Sequence, residues 1–209
     1  MKQLSGDLIH YIQTEILPKY SAFDKAHQID HAHKVIEESL KLAEYYPVSK
    51  NMVYAIAAYH DLGLCEGRKI HQLVSGQILQ EDAQLKEWFT PDEILIMKEA
   101  VEDHRASSKE APRTIYGRIV SEADRIIDST VTIQRTILYG LSHFPELDKE
   151  EQYNRFLEHL LVKYAEGGYL KLWIPESANA KQLDEFRKLI ADRDRLRAAF
   201  EWHYTALSK

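Results

Sequence analysis

Apolar positions along this chain recur at intervals of three and four residues almost throughout, and no run alternates apolar and polar residues between turn signals. The pattern predicts an all-α fold. Leu8 or Ile9, Ile12 and Ile16 make one stripe that ends at Pro18, and a second helix is predicted from about Gln28 to Tyr46, stopping before Pro47. A third starts near Asn51, carries Val53, Ile56 and Ala57, and ends at Gly63, a residue type suited to the left-handed turn after a helix. A shorter helix is expected over about Ile70 to Asp82. Thr90-Pro91-Asp92-Glu93 is a strong helix start, with Thr90 as N-cap, Pro91 in the first helical position and Glu93 placed for a capping box. That helix should reach His104. Another is expected from about Pro112 to Asp128, continuing or bending into Val131 to Leu141. Asp148 with Glu151 caps a helix to about Glu166, and Gly167-Gly168 ends it. Tyr169 to Pro175 reads as loop, and a last helix from Ala178 to Tyr204 is rich in Arg and Asp and hence solvated on one side.

With 209 residues, a single helical domain is the simplest organisation. Residues from about 20 to 130 hold most of the histidines, and those from about 131 to 209 read as helices that pack on them. The 44% hydrophobic and 29% charged content, with 8 Gly and 6 Pro, excludes disordered and collagen-like classes. Lys and Arg number 27 against 33 Asp and Glu, a formal charge of −6, so long nucleic acids are not expected partners. Any anionic substrate must meet a local positive site. The one cysteine, Cys65, can form neither an internal disulfide nor a thiolate cluster. The start MKQLSGDLIHYIQ lacks the apolar core of a signal peptide, and no uninterrupted apolar run approaches membrane-spanning length. A cytoplasmic protein with no membrane partner is expected, in an oligomeric state that the sequence leaves open.

Polar residues placed on apolar helical faces are the informative ones, because a buried ionisable group is costly unless paired or metal-bound. In the helix after Pro91, Ile94, Met97, Val101 and His104 follow intervals of three, four and three, so His104 should point inward. Tyr116, Val120, Asp124, Ile127 and Val131 set the Asp124 carboxylate inside another apolar stripe. His60 continues the stripe of Val53 and Ile56, His71 begins one with Val74 and Ile78, and His31 begins one with Val35 and Leu42. Neighbours in mid-helix point about 100° apart, so His60 and Asp61 can share one ion only where the helix loosens near Gly63. One inward histidine alone is more often a packed core or cap residue. Coincidence across His31, His60, Asp61 and Asp124 is a poorer explanation. Two imidazoles and two carboxylates suit a borderline-hard divalent ion such as Mn, Fe, Zn, Ni or Co. His27, one turn before His31, competes for the ligand role but suits a helix cap or supporting position better. His10, His33, His143, His159 and His203 read as surface or core residues.

The order His31, His60-Asp61, Asp124 resembles the signature of the HD-domain metal-dependent phosphohydrolase superfamily. Four segments carry the resemblance across roughly residues 20 to 130: HAHKV at 31–35, YAIAAYHDLGL at 54–64, HQLVSGQIL at 71–79 and IVSEADRIID at 119–128. The context around His60-Asp61, followed about sixty residues later by EADRI, is far more specific than the bare dipeptide. The chain is most similar to small stand-alone bacterial HD hydrolases, in which VEDHR at 101–105 falls in a further histidine segment. Lys34 stands where the family usually has Arg, which keeps the charge but loses the bidentate fork. Glu122 stands where Asp is common. The doubled His and Gly-Tyr-Pro motif of cyclic-dinucleotide phosphodiesterases are absent, since Arg105 follows His104.

The resemblance implies hydrolysis of a nucleotide or another small phosphate ester by a metal-activated water. His31, His60, Asp61 and Asp124 would hold one divalent ion (Mn, Ni, Co, Fe, Zn or Mg), which lowers the pKa of water and shields developing charge on phosphate. Asp61 could also orient the water, with Lys34, Arg105, Arg68 and Lys69 as candidate phosphate contacts. His71 and His104 would bind a second ion or touch the phosphate. Two other readings stay open at this point: a di-iron HD-fold oxygenase of a small organic substrate, using all six residues as ligands, and a catalytically weak metal- or ligand-binding module.

Overall fold

The computed structural model describes residues 4–23, 29–108, 110–125 and 127–208. Every regular element among them is helical. Two compact units emerge: Met1–Arg125 with Trp173–Glu176, and Ile126–Leu172 with Ser177–Lys209. None of the described helices is long and apolar enough to cross a membrane.

The first unit is built around α3 (Lys50–Tyr59), whose residues from Met52 onward are all buried. A helix apolar on every side must be enclosed by others. α2 (Ile29–Ala43), α5 (Pro91–Glu102) and α6 (Ile115–Ala123) pack around it, and α4 (His71–Glu81) packs on α5. The chain enters through α1 (Gly6–Tyr11), capped by Ser5, whose hydroxyl accepts from the Leu8 amide. The stripe that follows α1 does not stop at Pro18. The helix widens over Ile12–Ile16, then tightens over Leu17–Ala22, and this change of pitch buries Leu17 and Tyr20 beside Leu8, Ile12 and Ile16.

The caps fall where side-chain chemistry directs them. Thr90 and Glu93 form the reciprocal box at α5, and Ser49 caps α3. Each such cap is worth about 1 kcal/mol. α5 ends at Glu102, so His104 lies just beyond the helix rather than in it. Gly63 corrects the sequence reading in another way: the positive-φ glycines are Gly67 and Gly167. Gly63 is small because α4 lies against it, with Val74 Cβ only 2.8 Å from where its own Cβ would stand.

The second unit begins with α7 (Ser129–His143), separate from α6, and continues through α8 (Lys149–Lys163), capped by the Asp148–Glu151 box. The single long C-terminal helix expected from the sequence is two, α9 (Ala178–Ala191) and α10 (Arg193–Leu207). Asp192 breaks it by leaving helical geometry (φ −86°, ψ 93°) and accepting from the Arg195 amide to cap α10. Tyr153, Phe156 and Phe200 form the aromatic centre of this unit, Phe200 standing 5.1 Å from each of the other two rings.

Candidate metal centre

Helix ends deliver the chemistry. α3 finishes at Tyr59, His60 still has helical dihedrals, and Asp61 departs from them (φ −111°, ψ 6°). That departure lets two sequence neighbours face one point, which a continuous helix forbids. The buried Tyr20 hydroxyl pins the bend by donating to the Ala58 carbonyl (3.0 Å) and accepting from the Asp61 amide (3.3 Å). The Gly63 amide donates to Ser75 Oγ at 2.8 Å, tying the bend to α4. His31 lies in the first turn of α2, His71 opens α4, His104 follows α5, and Asp124 caps the C-terminal end of α6.

These six residues meet in two groups. In one, His31 Nε2 lies 3.2 Å from His60 Nε2 and 3.2 Å from Asp124 Oδ1, with His60 Nε2 3.8 Å from that oxygen. In the other, His71 Nε2 and His104 Nε2 are 3.2 Å apart, each 3.4 Å from Asp61 Oδ1. Asp61 joins the groups, because its second oxygen lies 3.3 Å from His60 Nε2 and 3.6 Å from His31 Nε2. His60, Asp61 and His104 are almost fully enclosed, at 0%, 4% and 2% exposure. The side chains of His31, His71 and Asp124 are more open, at 14%, 14% and 23%, and mark the side on which the cluster meets solvent.

The donor set fits divalent ions. His60, His71 and His104 each turn Nδ1 to a main-chain carbonyl, of Ala57 (2.7 Å), Arg68 (2.9 Å) and Val101 (2.6 Å). A neutral ring that donates from Nδ1 presents a lone pair at Nε2. The His71 and His104 lone pairs therefore face each other and a carboxylate oxygen, an arrangement stable only with a proton or a cation among them. Ligand atoms about 2.0–2.2 Å from one ion stand about 2.8–3.6 Å apart at right or tetrahedral angles. Most separations within the two groups fall in that range. Each group could hold an ion.

The charges respond to one another. Burial opposes the charged form of His31, but Asp124 and Asp61 outweigh it and raise its pKa to about 9. Burial likewise works against the carboxylate of Asp124, yet His31 and His60 bring it down to about 2. Asp61 is held far below the usual carboxylate range by His60, His104 and His31, against the burial that would raise it. His71 is pushed down, first by burial and then by repulsion from His104. His104 is pushed up, because Asp61 overcomes its burial.

The other candidates belong to neither group. Lys34 is exposed on α2, three residues beyond His31. Arg105 Nη1 donates to the Lys69 carbonyl (2.7 Å) and to Gln72 Oε1 (3.3 Å), so its guanidinium is fixed at the start of α4. Arg68 and Lys69 are exposed. His27 lies outside the described residues. Sequence reasoning overlooked Tyr20 and Ser75, which touch the backbone of the His60-Asp61 bend, although Ser75 sits one turn after His71 on α4. It noted Glu122 only as a departure from a motif. Glu122 is fully buried and accepts from the Trp173 amide at 2.7 Å, which fastens the segment 173–176 to α6 two residues before Asp124.

Residues 29–127 match the family model of the HD domain. In fold, the chain is similar to the crystal structure of a predicted HD superfamily hydrolase from an uncultured Thermotogales bacterium. The TM-score is 0.53 at 17% identity, over 94% of this chain and 91% of that one. No curated protein matches the chain. The family match spans the bend and both histidine groups, and the fold likeness extends along nearly the whole chain.

Proposed function

We propose that this chain hydrolyses small phosphate esters, nucleotides among them, with two divalent ions held by His31, His60 and Asp124 and by His71 and His104, and bridged by Asp61. The observation that carries the reading is the Asp61 carboxylate, with one oxygen turned toward each histidine group. Ions bound there would lower the pKa of water from about 15.7 toward 7 and offset charge on the phosphoryl oxygens. The protein supplies position and charge. The Nδ1 hydrogen bonds of His60, His71 and His104 fix three rings before substrate arrives, and Tyr20 holds the backbone of Asp61. Arg105 and Lys34 are the proposed phosphate contacts, and the overall charge of −6 favours small substrates over long nucleic acids.

Elemental analysis and phosphate release on the same preparations test this. Wild type loaded with Mn, Ni, Co, Mg, Fe or Zn should hold about two ions per chain and release phosphate from at least one ester. His104→Ala should lose about one ion, and His60→Ala most of the metal. A fully loaded protein inactive on a broad panel of esters would refute the hydrolase reading. A second reading, oxygenation of a small organic substrate by two irons, draws on the same observation, because six residues with a bridging carboxylate suit iron equally well. Two redox-active irons seen by electron paramagnetic resonance, with no phosphate release, would favour it.

A further inference from the structure

A second concentration of chemistry lies in the other unit, between α7 and α8. A cavity of about 480 Å³ opens there, within the range that encloses a small molecule. Arg155, His159 and Lys163 reach it from α8 at intervals of four, which places them on one helical face. Arg135 reaches it from α7. No carboxylate among the described residues lines it. Among the described residues, Arg135, Arg155 and Lys163 form no ion pair, and these three cations converge on one cavity, whereas Lys149, Lys188 and Arg197 are matched to acids.

Arg155 is held in place rather than left to swing in solvent. Its Nη2 donates to the Thr136 carbonyl, its Nε lies 3.4 Å from Gln152 Oε1, and its guanidinium stands 5.8 Å from the ring centres of both Tyr139 and Phe144. Burial disfavours its charge, and Tyr139 offsets that only in part. His159 is pushed down by burial and then by the charges of Lys163 and Arg155, so the field inside the cavity is positive. A fixed guanidinium with two further cations and no acid is an unbalanced arrangement in a chain of charge −6. Three permanent charges exceed what one carboxylate or chloride would balance, and the planar guanidinium fork matches phosphate oxygens. Val131 and Tyr164 give the same cavity apolar wall.

We infer that the α7–α8 cavity binds a small phosphorylated organic anion, its phosphate between Arg135, Arg155 and Lys163 and its apolar part against Val131 and Tyr164. None of these residues belongs to the metal centre, so the inference stands independently of the proposed hydrolysis.

Calorimetric titration of the full chain with α,β-methylene-ADP, which resists hydrolysis, tests it. Wild type should bind with affinity that falls as NaCl is added. Arg135→Glu with Lys163→Glu should weaken binding at least tenfold, and neither residue has an acid partner whose loss would unsettle the fold. Lys163→Gln alone should weaken it less, and serves if the double variant does not fold. His60→Ala should keep a site that the same charge substitutions weaken, whatever binding it loses at the metal centre. Absence of binding, equal affinity in the charge variants, or loss of all binding in His60→Ala would each overturn the assignment, the last by placing the ligand wholly at the metal centre. Citrate bound as tightly as the nucleotide would overturn the phosphate preference.

Discussion

Replacing Tyr20 by Phe tests whether one buried hydroxyl holds the His60-Asp61 bend. The Tyr20 oxygen donates to the Ala58 carbonyl and accepts from the Asp61 amide, and its side chain is fully buried. Burial, and then the charge of Asp61, push its pKa well above the ordinary value, so the hydroxyl is protonated at any working pH. Phe keeps the ring and leaves two main-chain groups without this partner. A buried polar group left unsatisfied costs about 1–3 kcal/mol, so the pair should cost about 2–6 kcal/mol. For a chain of this size, each kcal/mol moves Tm by about 2–4 °C, so the expected fall is roughly 4–24 °C. Tyr54→Phe is the control, because Tyr54 is buried at 5% exposure and forms no hydroxyl hydrogen bond among the described residues. It should cost about 0.5 kcal/mol or less. Thermal unfolding followed by circular dichroism reads the stability, and elemental analysis reads the metal, which should fall as the Asp61 backbone loosens. A Tyr20→Phe protein with Tm within 2 °C of wild type and unchanged metal content would refute the anchoring role.

Two further predictions concern neighbouring contacts. Tyr11 and Tyr59 both donate to Asp82 Oδ2, at 2.6 and 2.5 Å, and burial together with the Asp82 charge raises Tyr11 from 10.0 to about 12 and Tyr59 further. Their stabilisation is complete below pH 10 and is lost as pH rises through the folded values, because unfolded tyrosines release protons that the native ones keep; urea midpoints from pH 9 to 12 should fall more steeply in wild type than in Tyr11→Phe with Tyr59→Phe. Gly63→Ala would drive a Cβ into the His71 carbonyl and to 2.6 Å from the Ser75 amide, so it should cost about 1–3 kcal/mol and reduce metal held through His71; unchanged urea midpoint and metal content would contradict the close approach.

What could be read from the sequence was whatever depends on short range. The boxes at Thr90 and Asp148 follow from which side chains can reach amides three residues on, and the structure forms both. Proximity of His60-Asp61 to a helix end followed from Gly63, although glycine serves there by its lack of bulk. The break at Asp192 was missed because no Gly or Pro marks it, yet the phase of the apolar residues does. Leu183, Phe186 and Ile190 keep intervals of three and four, and the next buried apolar residue, Leu196, comes six later, which no single helical face allows. The widened turn after Tyr11 left no such trace, because Ile12 and Ile16 suit a regular helix equally well. Pairing His71 with His104 rather than with His31 requires tertiary distances that no local pattern carries.

The placement of all six candidate ligands at helix ends has an electrostatic consequence. A helix carries roughly half a negative charge at its C-terminal end and the same positive charge at its start. α3, α5 and α6 bring their C-terminal ends to His60, His104 and Asp124, whereas α4 begins at His71 and His31 is the third described residue of α2. The surplus of one C-terminal end adds to the charges of Asp61 and Asp124, and all of it favours cations. Two residues before Asp124, Glu122, one methylene longer than the Asp common at that position, accepts from the Trp173 amide and so links α6 to the segment 173–176. The departure from the motif thus replaces a short acid with one that ties a distant segment of the chain to the helix that carries Asp124.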